Sequence, residues 1–170
     1  MSLIQKLLND GVNFTPAVVC FLRQNGCVWL GIRKKVSLDL GLNVLSGFGG
    51  KIGDSPEIFG ETPEEAIDRE VLEEARVVVI GKIPMGRVRF LYTHNPQWNF
   101  DVNIYIVHKW EGVPRETEEM WPRQYAINEI PYGETWKDYP YWVPRVLSGE
   151  MVDVVFLYNE QHEIIEHIFL

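Results

Sequence analysis

Apolar positions follow two rhythms along the chain, and the changes of rhythm mark its elements. Ser2–Asn9 has the spacing of a short amphipathic helix, with Gly11 behind it as a stop. Pro16–Leu22 and Cys27–Ile32 are rich in Val, Leu, Ile and Trp and flank Asn25-Gly26. Both turn residues tolerate the positive φ of a type I′ turn, which predicts a β-hairpin. The stretch 36–45 is less regular and leads into Ser46-Gly47-Phe48-Gly49-Gly50-Lys51, and the polar Asp54–Gly60 reads as a loop. Thr62 then opens a helix, with Pro63 suited to the first helical position and Glu65 completing a Thr-x-x-Glu capping box. That helix ends at Ala75-Arg76 without a glycine, and Val77–Ile80 reads as a strand that starts almost at once.

Three further strands are predicted at Gly86–Tyr92, Phe100–Lys109 and Gln124–Ile127, with Val102, Ile104 and Ile106 alternating in the second. Asn95-Pro96-Gln97 is the turn between the first two. Tyr139–Leu147 recurs at helical spacing, and Met151–Tyr158 with Glu163–Phe169 reads as a closing antiparallel pair. The sum is one mixed α/β domain over residues 1–170, with a short helical extension at about 1–11, no internal repeat and no low-complexity tract.

Composition narrows the partners. At 46% hydrophobic and 24% charged, the 170 residues are ordinary for a globular protein with a sizeable core. A net charge of −8 argues against affinity for nucleic-acid polymers, which needs clustered Lys and Arg. It leaves a nucleotide substrate open, because bound cations reverse the local sign. No apolar run has the span of a membrane helix, and Met1–Gly11 lacks the pattern of a signal peptide. Cys20 and Cys27 lack the C-x-x-C spacing and read as reduced thiols in a cytoplasmic protein. The four histidines are scattered without metal-ligand spacing, and structural roles are expected for them; Asp101 is expected in turn or cap chemistry.

Residues 69–74 read Arg-Glu-Val-Leu-Glu-Glu. Positions i, i+3 and i+4 share a helix face, so Glu70, Glu73 and Glu74 form one acidic stripe. Ile67 and Val71 are expected on a separate, inward face while the acids face out. Like charges at this spacing repel. A hard divalent cation offsets that cost, since Mg²⁺ takes oxygen ligands from a few carboxylates plus substrate phosphates. Upstream, Gly47-Phe48-Gly49-Gly50 lets backbone approach a phosphate or metal closely. It is not a phosphate-binding Walker loop, because Leu45 and Ile52 stand where that motif needs Gly and Ser/Thr.

Gly50-Lys51, Gly60-Glu61 and the Arg69–Glu74 run together resemble the signature of the Nudix hydrolases. Ten residues separate Gly50 from Glu61, five more than the signature has, so 54–58 reads as an insertion, and Arg76 replaces the glycine after the helix. From about Phe21 onward the chain is similar to the branch that hydrolyses oxidised purine nucleoside triphosphates. The similarity lies in Gly47–Lys51, Asp101-Val102, Glu119-Met120-x-Pro122, Ile130-Pro131 and Trp136-x-Asp138-x-x-Tyr141-Trp142.

The resemblance implies an α/β/α sandwich in which Glu70, Glu73 and Glu74, with the Gly50 carbonyl and Glu119, hold Mg²⁺ or Mn²⁺. Glu73 or Glu74, or else Glu119, would accept the proton of the attacking water. Trp136, Asp138 and Phe90 would hold the base, with Ser46 and Lys51 also at the substrate, while Arg69 would brace the carboxylates. Two positions depart from that branch: Ser46 replaces an asparagine and Tyr139 the second of two adjacent aspartates. The implied reaction cleaves a purine nucleoside triphosphate, such as 8-oxo-dGTP, to monophosphate and pyrophosphate. Dinucleoside polyphosphates, ADP-ribose or nucleotide sugars are alternative substrates, and a non-catalytic nucleotide-binding module is the other alternative; monomer and homodimer are both open. Trp142 is expected to be a core or surface aromatic.

Overall fold

In the computed structural model, which describes residues 1–34 and 43–170, Asn25 and Gly26 both sit at positive φ. They join β1 (Thr15–Gln24) to β2 (Cys27–Arg33) with Gln24 opposite Cys27, as the dipeptide predicts. Of the irregular stretch 36–45, only the last residues are described, and Leu45 opens β3 (Leu45–Ser46). β4 (Phe48–Lys51) pairs with the first half of β1, from Ala17 to Cys20, while β2 pairs with its last residues. β1 thus changes partner midway, and the opened gap places β4 under the acid-bearing helix.

Val77–Ile80 and Gly86–Tyr92 are not two strands but one, β5 (Val78–Tyr92). Gly81, Pro84 and Gly86 lie at the junction of the two runs, and the strand absorbs them through register shifts against β6 (Phe100–Glu111). β8 (Val152–Tyr158) pairs with β5 only from Gly86 onward, so Pro84 lies where that side of the strand has no partner to lose. The strand read at Gln124–Ile127 begins earlier, as β7 (Met120–Ala126) against β2, and Ile127 leaves it for a 3₁₀ turn. β9 (Ile164–Phe169) closes the order β3-β2-β1-β6-β5-β8-β9, with β1∥β6 and β5∥β8 parallel and the other pairs antiparallel.

Alternation along β1 buries both faces of the sheet. Ala17, Val19 and Phe21 join the core beneath α3 (Tyr139–Leu147), which supplies Trp142, Val143, Val146 and Leu147. Val18, Cys20 and Leu22 face α2 (Pro63–Ala75) through Ala66, Ile67, Val71 and Ala75. α1 (Leu3–Asn9) lies against Leu91, Val155 and Leu157 through the fully buried Ile4. Each large side chain so buried contributes about 1.5–3 kcal/mol. The result is the α/β/α layering that the resemblance implies. Among the described residues no helix is long and apolar enough to cross a membrane.

Candidate active site

α2 starts where its sequence dictates: Thr62 Oγ1 accepts from the Glu65 amide, and the Glu65 carboxylate accepts from Thr62 N–H. It ends with Arg76 in the left-handed region at φ 58°, the conformation a glycine usually supplies there. Between these ends the glutamate stripe does not face solvent as a unit. Ile67, Glu70, Val71 and Glu74 follow the i, i+3, i+4, i+7 progression of one inward face. Glu70 is 8% and Glu74 1% exposed, whereas the side chain of Glu73 is 49% exposed. Two acids therefore point into the protein and one looks out.

The inward acids lie on β4. A Cβ on Gly50 would stand 2.3 Å from Glu70 Oε1, and one on Gly49 would stand 2.0 Å from the Val18 carbonyl oxygen. Glycine at 50 lets the helix approach β4 this closely, and glycine at 49 lets β4 approach β1. Glu74 Oε2 accepts from Gly49 N–H at 3.0 Å and Oε1 from Arg33 Nη1 at 3.2 Å. Arg33 also donates to the Gly49 carbonyl. Burial pushes the Glu74 carboxyl up to about 7 against the pull of Arg33, with Glu70 and Glu119 adding to the rise. Glu70 is likewise raised, first by burial. Glu119 is exposed just before β7, and its carbonyl accepts from Lys34 N–H beside Arg33.

Arg69 organises the loop before the helix. Its Nε and Nη2 clasp both oxygens of Glu61 at 2.6 and 3.0 Å, Nη2 also reaches the Lys51 carbonyl, and Nη1 donates to Glu70 and Glu73. Those bonds hold the Glu61 carboxyl below its ordinary range. The residues read as an insertion form a 3₁₀ turn at Pro56–Ile58, after which Glu61 N–H donates to the Ile58 carbonyl. Glu61 thus meets Arg69 despite the extra length.

A cleft of about 520 Å³ opens beside this assembly. Gly49, Gly50, Lys51 and Arg33 line one part; Phe90, Trp136, Asp138, Tyr139 and Ser46 line another. Asp138 is buried and its two oxygens accept from Trp142 Nε1 at 2.7 Å and Tyr158 Oη at 3.1 Å. Burial raises its carboxyl to about 6. Phe90 stacks on Phe156 at 6.2 Å. The two departures in the pocket touch each other. Gly47 N–H donates to Tyr139 Oη at 2.9 Å, Ser46 Oγ donates to the Gly47 carbonyl, and the two hydroxyls lie 3.2 Å apart. With Ser46 already donating, Tyr139 donates to it, and the three groups close a ring.

All five residues expected at the substrate share this cleft, and Gly50 lines it too, whereas Glu70, Glu73, Glu74 and Glu119 are not among its lining residues. Of the two structural places open to Trp142, core and surface, it takes the core. Asp101 serves neither turn nor cap: it sits within β6 and pairs with Arg87 on the neighbouring strand. Sequence reasoning passed over Arg33, Trp98 and His162. Each reaches the site from a different strand end or loop, and no local spacing announces it. Two histidines expected to be scattered, His94 and His162, stand 6.4 Å apart by ring centroids.

Fold and site together define an α/β/α protein whose acid-bearing helix abuts a nucleotide-sized cleft. No protein-family model matches the chain. Curated relatives do: it is 33% identical over 144 residues to the oxidized purine nucleoside triphosphate hydrolase of Danio rerio, covering 85% of this chain and 86% of that protein. It is 31% identical over 140 residues to the protein of the same name from Mus musculus, covering 82% and 84%. The crystal structure of a MutT protein from Bacillus halodurans superposes with a TM-score of 0.75 at 16% identity, over 92% of this chain and 97% of that one. The chain belongs to the MutT-like Nudix hydrolases and is an enzyme.

Proposed function

We propose that the protein hydrolyses a purine nucleoside triphosphate, oxidised purines included, to the monophosphate and pyrophosphate, with Mg²⁺ or Mn²⁺ and in the cytoplasm. One observation carries this reading: a single cleft is lined both by the glycine strand under the acidic helix and by the aromatic and carboxylate side chains suited to a base. The residues fit a hard divalent ion. Every donor is oxygen, two carboxylates are buried at raised pKa, and their arginine partners neutralise them only in part. Among the described residues no three acidic, His or Cys side chains yet converge as a ligand set. Glu70, Glu73 and Glu74, with the Gly50 carbonyl and Glu119, are the groups that would close on the ion. When bound, such an ion neutralises phosphate oxygens and makes water a nucleophile near neutral pH.

The protein's own side chains do the rest. Lys51 and Arg33 bring positive charge to the phosphate end of the cleft. Arg69 orients Glu70 and Glu73. Without an ion Glu74 has both oxygens engaged and is sealed from solvent, which anchors the helix to Gly49 and makes it less suited than Glu73 to take a proton from water. Glu73 is half-exposed and gives one oxygen to Arg69, which makes it the better proton acceptor for the attacking water. Trp136 and Phe90 offer flat apolar surface for a base, and Asp138 offers a polar edge.

A panel of nucleotides with Mg²⁺, read by pyrophosphate and monophosphate release, tests the proposal. Purine triphosphates should release both products in equal amounts. Turnover confined to ADP-ribose, nucleotide sugars or dinucleoside polyphosphates, or binding of a nucleotide without turnover, would replace the reading.

A further inference from the structure

Several polar groups of the base-holding part of the cleft are already paired within the protein. Ser46 and Tyr139 spend their hydroxyl hydrogens on each other and on Gly47. Each oxygen of Asp138 already accepts a hydrogen bond. His162 is different. Its ring lines the cleft with Tyr92, Trp98 and Tyr158, and neither nitrogen has a hydrogen-bond partner among the described residues. Nδ1 is also cut off from solvent, a cost comparable to a lost hydrogen bond.

The fold holds this imidazole in place deliberately. His162 sits in the β8–β9 turn at φ 58°, in the left-handed region that side chains rarely adopt. Asn159 fixes that turn: its Oδ1 accepts from Gln161 and Glu163 N–H, and its carbonyl accepts from His162 N–H. The ring then lies over Trp98 at 5.2 Å and beside Tyr92 at 6.1 Å, while Tyr92 stacks on Tyr158 at 4.8 Å. Half a turn about Cβ–Cγ exchanges the ring's edges without leaving the Trp98 face, so either nitrogen can be presented to the cleft. Backbone strain and an unpartnered imidazole together mark a group held for something that enters the cleft.

We propose that the His162 imidazole hydrogen-bonds the base of the bound nucleotide and sets base selectivity with Asp138. This rests on the proposed function only in taking a nucleotide as the ligand. A neutral imidazole carries one donor and one acceptor, so it can meet either a carbonyl or an amino group on the base edge.

Two measurements test it. In wild-type protein with ¹⁵N-labelled histidine, saturation with dGTP in the presence of Ca²⁺ should move the His162 ring nitrogen signals, and inorganic tripolyphosphate, which has no base, should leave them in place. His162→Phe keeps the aromatic contact with Trp98 and removes both nitrogens. It should raise KM for dGTP by roughly three- to tenfold with kcat near the wild-type value, the scale of one neutral hydrogen bond, and leave inhibition by tripolyphosphate unchanged. Unmoved His162 nitrogens in a dGTP-saturated protein would overturn the inference whatever the variant does, and so would an unchanged KM in a folded His162→Phe. If dGTP binds and moves those signals but no pyrophosphate forms, the inference stands and the hydrolytic reading fails.

Discussion

Arg69 shows how much of the site one side chain can organise. Five hydrogen bonds from its guanidinium join Glu61, Lys51, Glu70 and Glu73, so loop and helix are fixed to each other before any ion arrives. Glu74 carries the opposite lesson. Burial lifts its carboxyl to about 7, so between the ordinary value of 4.5 and about 7 the folded chain holds a proton that the unfolded chain has lost. The sign follows: the stability this group contributes is full at the acid end of that window and is lost as pH rises through it. A divalent ion competes with the same proton. Apparent Mg²⁺ affinity, measured by calorimetry at about pH 6, 7 and 8, should therefore rise by up to about tenfold per unit below 7 and flatten above it. An affinity equal at all three values would show that the buried acid takes no part in binding.

At the scale of elements, local signals were legible and contacts across the sheet were not. The Thr62 box, the Asn25-Gly26 turn and the span of α3 depend on residues within one turn of each other, and the structure has them where the sequence puts them. The acidic stripe was legible as a stripe, but its direction was not. Which face of α2 turns inward depends on the absence of a side chain at Gly50, some twenty residues away. Arg33 and His162 gave no signal at all, because β2 and the β8–β9 turn reach the cleft only through tertiary pairing. Ser46 and Tyr139 were visible as two separate departures, and only the fold shows them to be one hydrogen-bonded change.

The two glycines of β4 make a paired prediction. In Gly50→Ala the new methyl meets the far end of the Glu70 side chain, which can swing aside by giving up its bond to Arg69. Melting temperature should fall by only a few degrees, while activity falls about tenfold or more as a carboxylate is displaced. In Gly49→Ala the methyl meets the Val18 carbonyl, which is held in the sheet, and folding itself should suffer. Equal loss of stability in both variants, at full activity for Gly50→Ala, would mean that Glu70 need not lie where it does.

For the molecule as a whole, the sheet sets two kinds of surface side by side. β4 lines one part of the cleft with the acid-bearing α2 packed against it, while β5, β8 and the approach to α3 bring aromatic rings and Asp138 to the other. A nucleotide offers the matching pair, a phosphate chain and a flat polar base. The central claim is that the acidic helix makes this arrangement catalytic rather than merely receptive. Glu73→Gln tests it most directly, because Glu73 is half-exposed and its loss leaves the buried anchors Glu70 and Glu74 in place. With Mg²⁺ and saturating purine triphosphate, the variant should stay folded and release pyrophosphate roughly 10²-fold more slowly than wild type or worse. Wild-type turnover in the folded variant would contradict the account.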